Sequence, residues 1–291
     1  MPRFPSYDAT ELTYHVHGAG PPLVCLPGGP GRASSYLDDL GGLSAHRTLI
    51  MLDHRGTGDS ELPTDPTSYR CDRLVDDVEA LRTHLGLDRM SLLGHSAGGD
   101  LAQLYAARFP HRLAQLLLIT PVSASTGTDR VGMDDALDSR AGEWWYQDAR
   151  TAWTALVQAM IAGAGPAETA PLLLATAPFF YGRWDERARA HHEAGSWQRS
   201  YPASEGFYAG FTPDTVAVRA ALGRLDVPVL VLAGAVDPIS APPAAQLIAD
   251  LFPQAQLVVQ DGAGHFPWLD APATFTRLVH DFLAAPAGTA R

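Results

Sequence analysis

The chain has 291 residues, 46% hydrophobic and 18% charged, which suits one large α/β domain carrying an insertion. A formal net charge of −11 disfavours nucleic acid and anionic membranes as partners, and arginine supplies all 21 basic residues. Two cysteines, Cys25 and Cys71, make no disulfide framework, and no cysteine–histidine cluster suggests zinc.

Short apolar runs alternate with helical patterns along the chain. Strands are expected at Leu12–His17, Leu23–Leu26, Thr48–Leu52, Met90–Leu93, Leu116–Ile119, Val229–Leu232 and Leu257–Val259. Leu74, Val75, Val78, Leu81 and Leu85 share one face of a helix over Arg73–Leu85, with Asp72 as its N-cap and Gly86 as its stop. This alternation predicts a mostly parallel central sheet flanked by helices. It breaks after Thr120 and resumes near Val227. The expected organisation is therefore a core of residues 1–122 and 221–291, with a helical lid over 123–220 inserted after the sixth strand. The lid holds five of the six tryptophans.

The strongest chemical signal is Gly94-His95-Ser96-Ala97-Gly98-Gly99. An apolar strand precedes it and the helical stretch DLAQLYAARF follows it. Gly-x-Ser-x-Gly in that setting is a nucleophile elbow: the serine sits on a sharp strand-to-helix turn, and glycines let strand and helix approach. Ser96 is the expected nucleophile. A serine nucleophile needs a base, and His265, in Gly-Ala-Gly-His-Phe after the last strand, has the right position among eleven histidines. Asp237 follows the strand before it and is the expected acid that fixes the histidine tautomer. The order Ser…Asp…His suits this arrangement. The loop Pro27-Gly28-Gly29-Pro30-Gly31 follows an early strand. The N–H groups of Gly29 and Ala97 are the expected oxyanion donors.

These residues resemble the α/β-hydrolase superfamily over most of residues 12–120 and 227–285. Gly28-Gly29-Pro30-Gly31 is similar to the HGGPG loop of proline iminopeptidases, and Asp53-His54-Arg55-Gly56-Thr57-Gly58-Asp59-Ser60 to their DQRGxGxS segment. The resemblance implies the α/β-hydrolase fold. Pro27 replaces the histidine of HGGPG, and the elbow reads GHSAGG rather than GGSxG. Pro238 stands where a second acid beside Asp237 would be expected to help hold a substrate amine. Arg55 reads as a turn-stabilising residue.

An aminopeptidase needs a carboxylate for the substrate ammonium, and Glu205 is the best placed in the lid. Trp144, Trp145, Phe179, Phe180 and Tyr208 are candidates for lining the substrate pocket. His191 and His192 are adjacent, point roughly 100° apart on a helix, and read as a solvated pair rather than metal ligands. The expected function is hydrolysis of a small-molecule carboxylic ester or amide through an acyl-enzyme. The alternatives are an iminopeptidase-like aminopeptidase, or a biosynthetic lyase, cyclase or acyltransferase using the same triad. A receptor that keeps the pocket without turnover is a further class. No metal or cofactor is expected, and a small molecule is the expected partner. The N-terminus has no apolar leader and no run reaches ~18 apolar residues, so a soluble cytoplasmic protein is expected. A homodimer is compatible with the sequence.

Overall fold

The computed structural model describes residues 1–128 and 130–285. The strands are β1 (Arg3–Pro5), β2 (Glu11–His17), β3 (Pro22–Leu26), β4 (Thr48–Leu52), β5 (Met90–His95), β6 (Leu113–Ile119), β7 (Val229–Gly234) and β8 (Ala255–Gln260). They form one sheet in the order β1-β2-β4-β3-β5-β6-β7-β8. β2 pairs antiparallel with both β1 and β4, and every later pairing is parallel. All seven expected strands form. β1 escapes the sequence pattern because it has only three residues, ending in proline, and its pairing with β2 alone makes it a strand.

The apolar strand runs are explained by helices on both faces. Val24, Leu26, Leu92, Leu116, Leu118 and Val231 point to one face. There they meet α1 (Cys71–His84), α2 (Ala97–Arg108) and α9 (Pro242–Ala249). The alternate residues Leu23, Cys25, Leu93, Leu117, Leu230 and Leu232 point the other way. They pack against Trp268 of α10 (Pro267–Asp270) and against Phe275, Val279 and Leu283 of α11 (Pro272–Ala284). α1 begins two residues earlier than expected and Asp72 is not its cap. The N–H of Cys71 donates to the carbonyl of Phe207 at 2.9 Å, so a tertiary contact replaces a capping side chain. Asp72 instead accepts from Arg70 Nε at 2.6 Å. Arg55 is fully buried and grips Asp77 through two nitrogens and Asp8 through a third, which fastens the turn after β4 to α1.

Between β6 and β7 lie α3 (Met133–Asp138), α4 (Tyr146–Ile161), α5 (Pro166–Thr176), α6 (Glu186–Gln198), α7 (Tyr201–Gly206) and α8 (Thr215–Leu222). Leu137, Trp145, Ala149, Trp153 and Phe179 form a small apolar core of their own within this segment. α8 returns to the sheet: Leu222 is buried in the core with Leu118 and Val231. Residues 286–291, assigned to the core on sequence, lie outside the described residues.

Candidate active site

Ser96 stands between the end of β5 and the start of α2 with φ 54° and ψ −119°, a conformation few non-glycine residues adopt. The turn is held by Ser96 N–H to the Ile119 carbonyl at 3.0 Å and by Val122 N–H to the Ser96 carbonyl at 3.2 Å. It is also tight: a Cβ on Gly98 would come within 2.5 Å of the Leu26 carbonyl, so only glycine fits there. The helix N-terminus behind Ser96 favours negative charge at this point.

His265 follows β8, and Asp237 follows β7. His265 Nδ1 donates to Asp237 Oδ2 at 2.8 Å, and the other carboxylate oxygen accepts from Ile239 N–H at 2.8 Å. Asp237 is fully buried and His265 is 6% exposed. The carboxylate thus has a donor on each oxygen, and Nδ1–H is fixed, which leaves Nε2 to act as a base. Among the described residues no hydrogen bond joins Ser96 Oγ to His265. Such contacts commonly close only on substrate binding.

The glycine loop after β3 reaches Ser96. A Cβ on Gly28 would lie 2.8 Å from Ser96 Cβ and 3.2 Å from Ala97 N. Gly28 N–H donates to Tyr36 Oη at 2.7 Å. Among the described residues the N–H groups of Gly29 and Ala97 have no acceptor, which leaves both available to a developing oxyanion.

The inserted helices bear on each of these loops. His265 N–H donates to the Phe180 carbonyl at 2.8 Å, and Asp270 accepts from Gly182 N–H at 2.9 Å and Gly264 N–H at 2.8 Å. Ser200 N–H donates to the Gly31 carbonyl at 2.8 Å, and Arg199 Nη1 reaches the Gly29 and Pro30 carbonyls at 3.3 Å each. Tyr208 Oη donates to the buried carboxylate of Asp100, in the first turn of α2, at 2.9 Å. Burial pushes the Asp100 carboxyl up from its usual range.

The aromatic candidates separate accordingly. The Phe180 ring meets the His265 ring edge-on, centroids 6.2 Å apart. Trp145 and Phe179 are buried in the core of the insertion, and Tyr208 is engaged with Asp100, so these three are read as support rather than lining. Trp144 is 77% exposed, and its ring meets no other ring among the described residues. Glu205 is exposed on α7 and makes no ion pair among the described residues, so it is not the buried carboxylate an ammonium pocket requires. The expectation of a solvated His191–His192 pair is corrected. Both are half-buried, and His191 accepts from Tyr181 Oη at 2.8 Å while reaching the Tyr36 carbonyl at 3.3 Å. Burial and the nearby Arg32 guanidinium hold the His191 imidazole down at about 3.

Sequence reading missed Tyr36, His95 and Thr120, all buried beside this site. A histidine inside a buried apolar strand was the available signal for His95. His15, Asp53 and Asp59 bring ligand-type atoms within 4.8 Å of one another. Asp53 is already taken up there, accepting from Ser34 N–H at 2.7 Å, His15 Nε2 at 2.9 Å and Asp59 N–H at 3.1 Å. No helix among the described residues is long and apolar enough to cross a membrane.

The chain is similar to known proteins. The proline iminopeptidase of Lactobacillus helveticus (strain DPC 4571) is 41% identical over 123 residues, which are 40% of this chain and 42% of the relative's length. The chain thus spans less than half of that relative. The proline iminopeptidase of Levilactobacillus brevis is 27% identical over 289 residues, 91% of this chain and 88% of its own. In architecture the chain is similar to the esterase RhEst1 from Rhodococcus sp. ECU1013, with a TM-score of 0.74, 23% identity, and 98% of each chain covered. The family described by the alpha/beta hydrolase fold matches residues 21–272. With its sheet order, its strand–serine–helix turn and this match, the chain belongs to the α/β-hydrolase fold family.

Proposed function

We propose that the protein is a serine hydrolase that cleaves a small-molecule carboxylic ester through an acyl-enzyme. The observation that carries the reading is the His265 Nδ1–Asp237 Oδ2 hydrogen bond of 2.8 Å beside a serine at φ 54°. His265 Nε2 takes the Ser96 proton as Oγ attacks the substrate carbonyl. The N–H groups of Ala97 and Gly29 receive the oxyanion, the alkoxide leaves with the proton from His265, and water activated by His265 releases the acid. Phe180 forms an apolar wall against the base, and helices α3–α7 act as a lid that selects the acyl or leaving group.

The relatives favour a second reading, an iminopeptidase acting on a free N-terminal amine. The exposed Glu205 and the Pro238 that follows Asp237 speak for the neutral ester instead. A desolvated ammonium without a carboxylate partner costs several kcal/mol. The test is labelling of Ser96 by a fluorophosphonate, followed by a panel of p-nitrophenyl esters against prolyl and alanyl amides. Labelling at Ser96 with esters preferred is the expected result, and Glu205→Gln should leave ester kcat/KM unchanged. Preference for free prolyl amides, with KM rising in Glu205→Gln, would establish the second reading. Labelling at another residue would refute both.

A further inference from the structure

His95 precedes the nucleophile and is 1% exposed, yet it touches neither the triad side chains through a hydrogen bond nor the solvent. Its two ring nitrogens lie in one continuous chain of hydrogen bonds. Nε2 is 2.9 Å from the main-chain carbonyl oxygen of His265, and Nδ1 is 2.5 Å from Tyr36 Oη, which is 2.7 Å from Gly28 N. The directions are forced. A carbonyl oxygen only accepts, so Nε2 carries the proton and donates to His265. Burial and the neighbouring His265 and His191 rings hold the His95 imidazole well below its usual value, so it is neutral and Nδ1 is bare. Nδ1 therefore accepts from the Tyr36 hydroxyl, whose oxygen in turn accepts from Gly28 N–H. Thr120 Oγ1 gives the His265 carbonyl a second donor at 3.0 Å. The Tyr36 ring is 3% exposed, and burial pushes its hydroxyl up, so it stays protonated.

We propose that Tyr36 and His95 are positioning residues that lock the glycine loop carrying the oxyanion donor and the loop carrying the base into one register around Ser96. The proposal rests on the serine-hydrolase reading above. Gly28 N–H is held by Tyr36, and Gly29, the next residue, offers its own N–H to the oxyanion. At the other end, the His265 main chain is held between Phe180 on its N–H and His95 with Thr120 on its carbonyl. The oxyanion exists only after attack, so slack in this chain weakens transition-state binding and leaves substrate binding nearly unaltered.

The experiment uses Tyr36→Phe, His95→Gln and the double variant in the full chain. Tyr36→Phe keeps the ring and removes only the oxygen. His95→Gln keeps an N–H donor in the Nε2 position toward His265, while its amide oxygen branches away from the Nδ1 position that faces Tyr36. Burst titration with diethyl p-nitrophenyl phosphate counts reactive serines, so kcat is expressed per folded, competent site even if a variant is less stable. Each single variant should lose about 10- to 100-fold in kcat on a p-nitrophenyl ester, with KM changed by less than about twofold. The double variant should be no more than about threefold worse than the poorer single, since both substitutions break one chain. Parental kcat per titrated site in Tyr36→Phe would overturn the proposal. So would losses that multiply in the double variant, or a loss confined to KM. If the parent protein fails to react with the phosphate at Ser96, the serine-hydrolase reading itself has failed, and that outcome overturns both.

Discussion

The main-chain N–H of His265 donates to the carbonyl oxygen of Phe180 at 2.8 Å, so His265 is braced by the inserted segment as well as by the sheet. The two segments lie against each other without room for side chains. A Cβ on Gly182 would meet the Gly262 carbonyl oxygen at 1.8 Å, and Asp270 clamps both segments by accepting from Gly182 and Gly264.

Gly182→Ala should therefore act on catalysis from outside the triad. The clash is with backbone, which cannot swing aside, so either 180–183 or 262–265 must move. A destabilisation of about 1–3 kcal/mol is expected for such overpacking, together with a fall in ester kcat as His265 shifts from its register. Thermal unfolding and steady-state kinetics check it. A variant with parental Tm and kcat would show that this contact does not hold the base.

Asp237→Asn should be nearly as damaging as loss of the nucleophile, and the hydrogen bonds say why. Ile239 N–H must find an acceptor at 2.8 Å, so the amide oxygen takes the Oδ1 position and the NH₂ group faces His265 Nδ1. The imidazole is then forced to put its proton on Nε2, toward Ser96, where it no longer serves as a base. The expected loss is on the order of 10⁴-fold in kcat at neutral pH, with the fold intact by circular dichroism. A loss below about tenfold would move the acid role to another residue.

His54 makes stability fall in mild acid. It is 3% exposed, its Nδ1 has no partner among the described residues, and burial holds its imidazole down at about 4 from an ordinary 6.5. The folded state keeps His54 neutral while the unfolded chain binds a proton below about 6.5, so unfolding is favoured as pH falls. Its contribution is fully present above pH 6.5 and is lost between pH 6.5 and 4, at up to about 1.4 kcal/mol per pH unit. His54→Gln removes the titrating group while keeping a donor for the Pro27 carbonyl, which His54 Nε2 reaches at 3.4 Å. Urea unfolding at pH 7 and pH 5 should show a smaller acid loss in the variant than in the parent. Equal losses would assign the acid sensitivity to other groups.

The geometry of the elbow and of the Asp237–His265 pair was legible because each part of it is local in sequence. Gly94-His95-Ser96-Ala97-Gly98 encodes its turn within a few residues, through glycines where backbone meets backbone and a strand and helix on either side. Asp237 and His265 follow strands whose apolar runs mark them, and parallel strands end on the same edge of the sheet, so the two meet. The sheet itself was legible for the same reason: strands covered on both faces must be apolar throughout, and the covering helices must carry an apolar stripe.

What only the tertiary structure decided depends on contacts between distant segments. His95 meets Tyr36 across 59 positions and the His265 carbonyl across 170, and no local pattern carries such a pairing. The cap of α1 is likewise a carbonyl from Phe207 rather than the nearby Asp72. The aromatics of the insertion look alike in the sequence, yet Phe180 reaches the base while Phe179, its neighbour, is buried among Trp145 and Trp153, and Trp144 faces water. Hydrophobicity drives all of them toward burial, but which of them packs in the insertion and which meets His265 is settled by the direction each side chain takes from its backbone, and that direction is set by the packing of the whole chain.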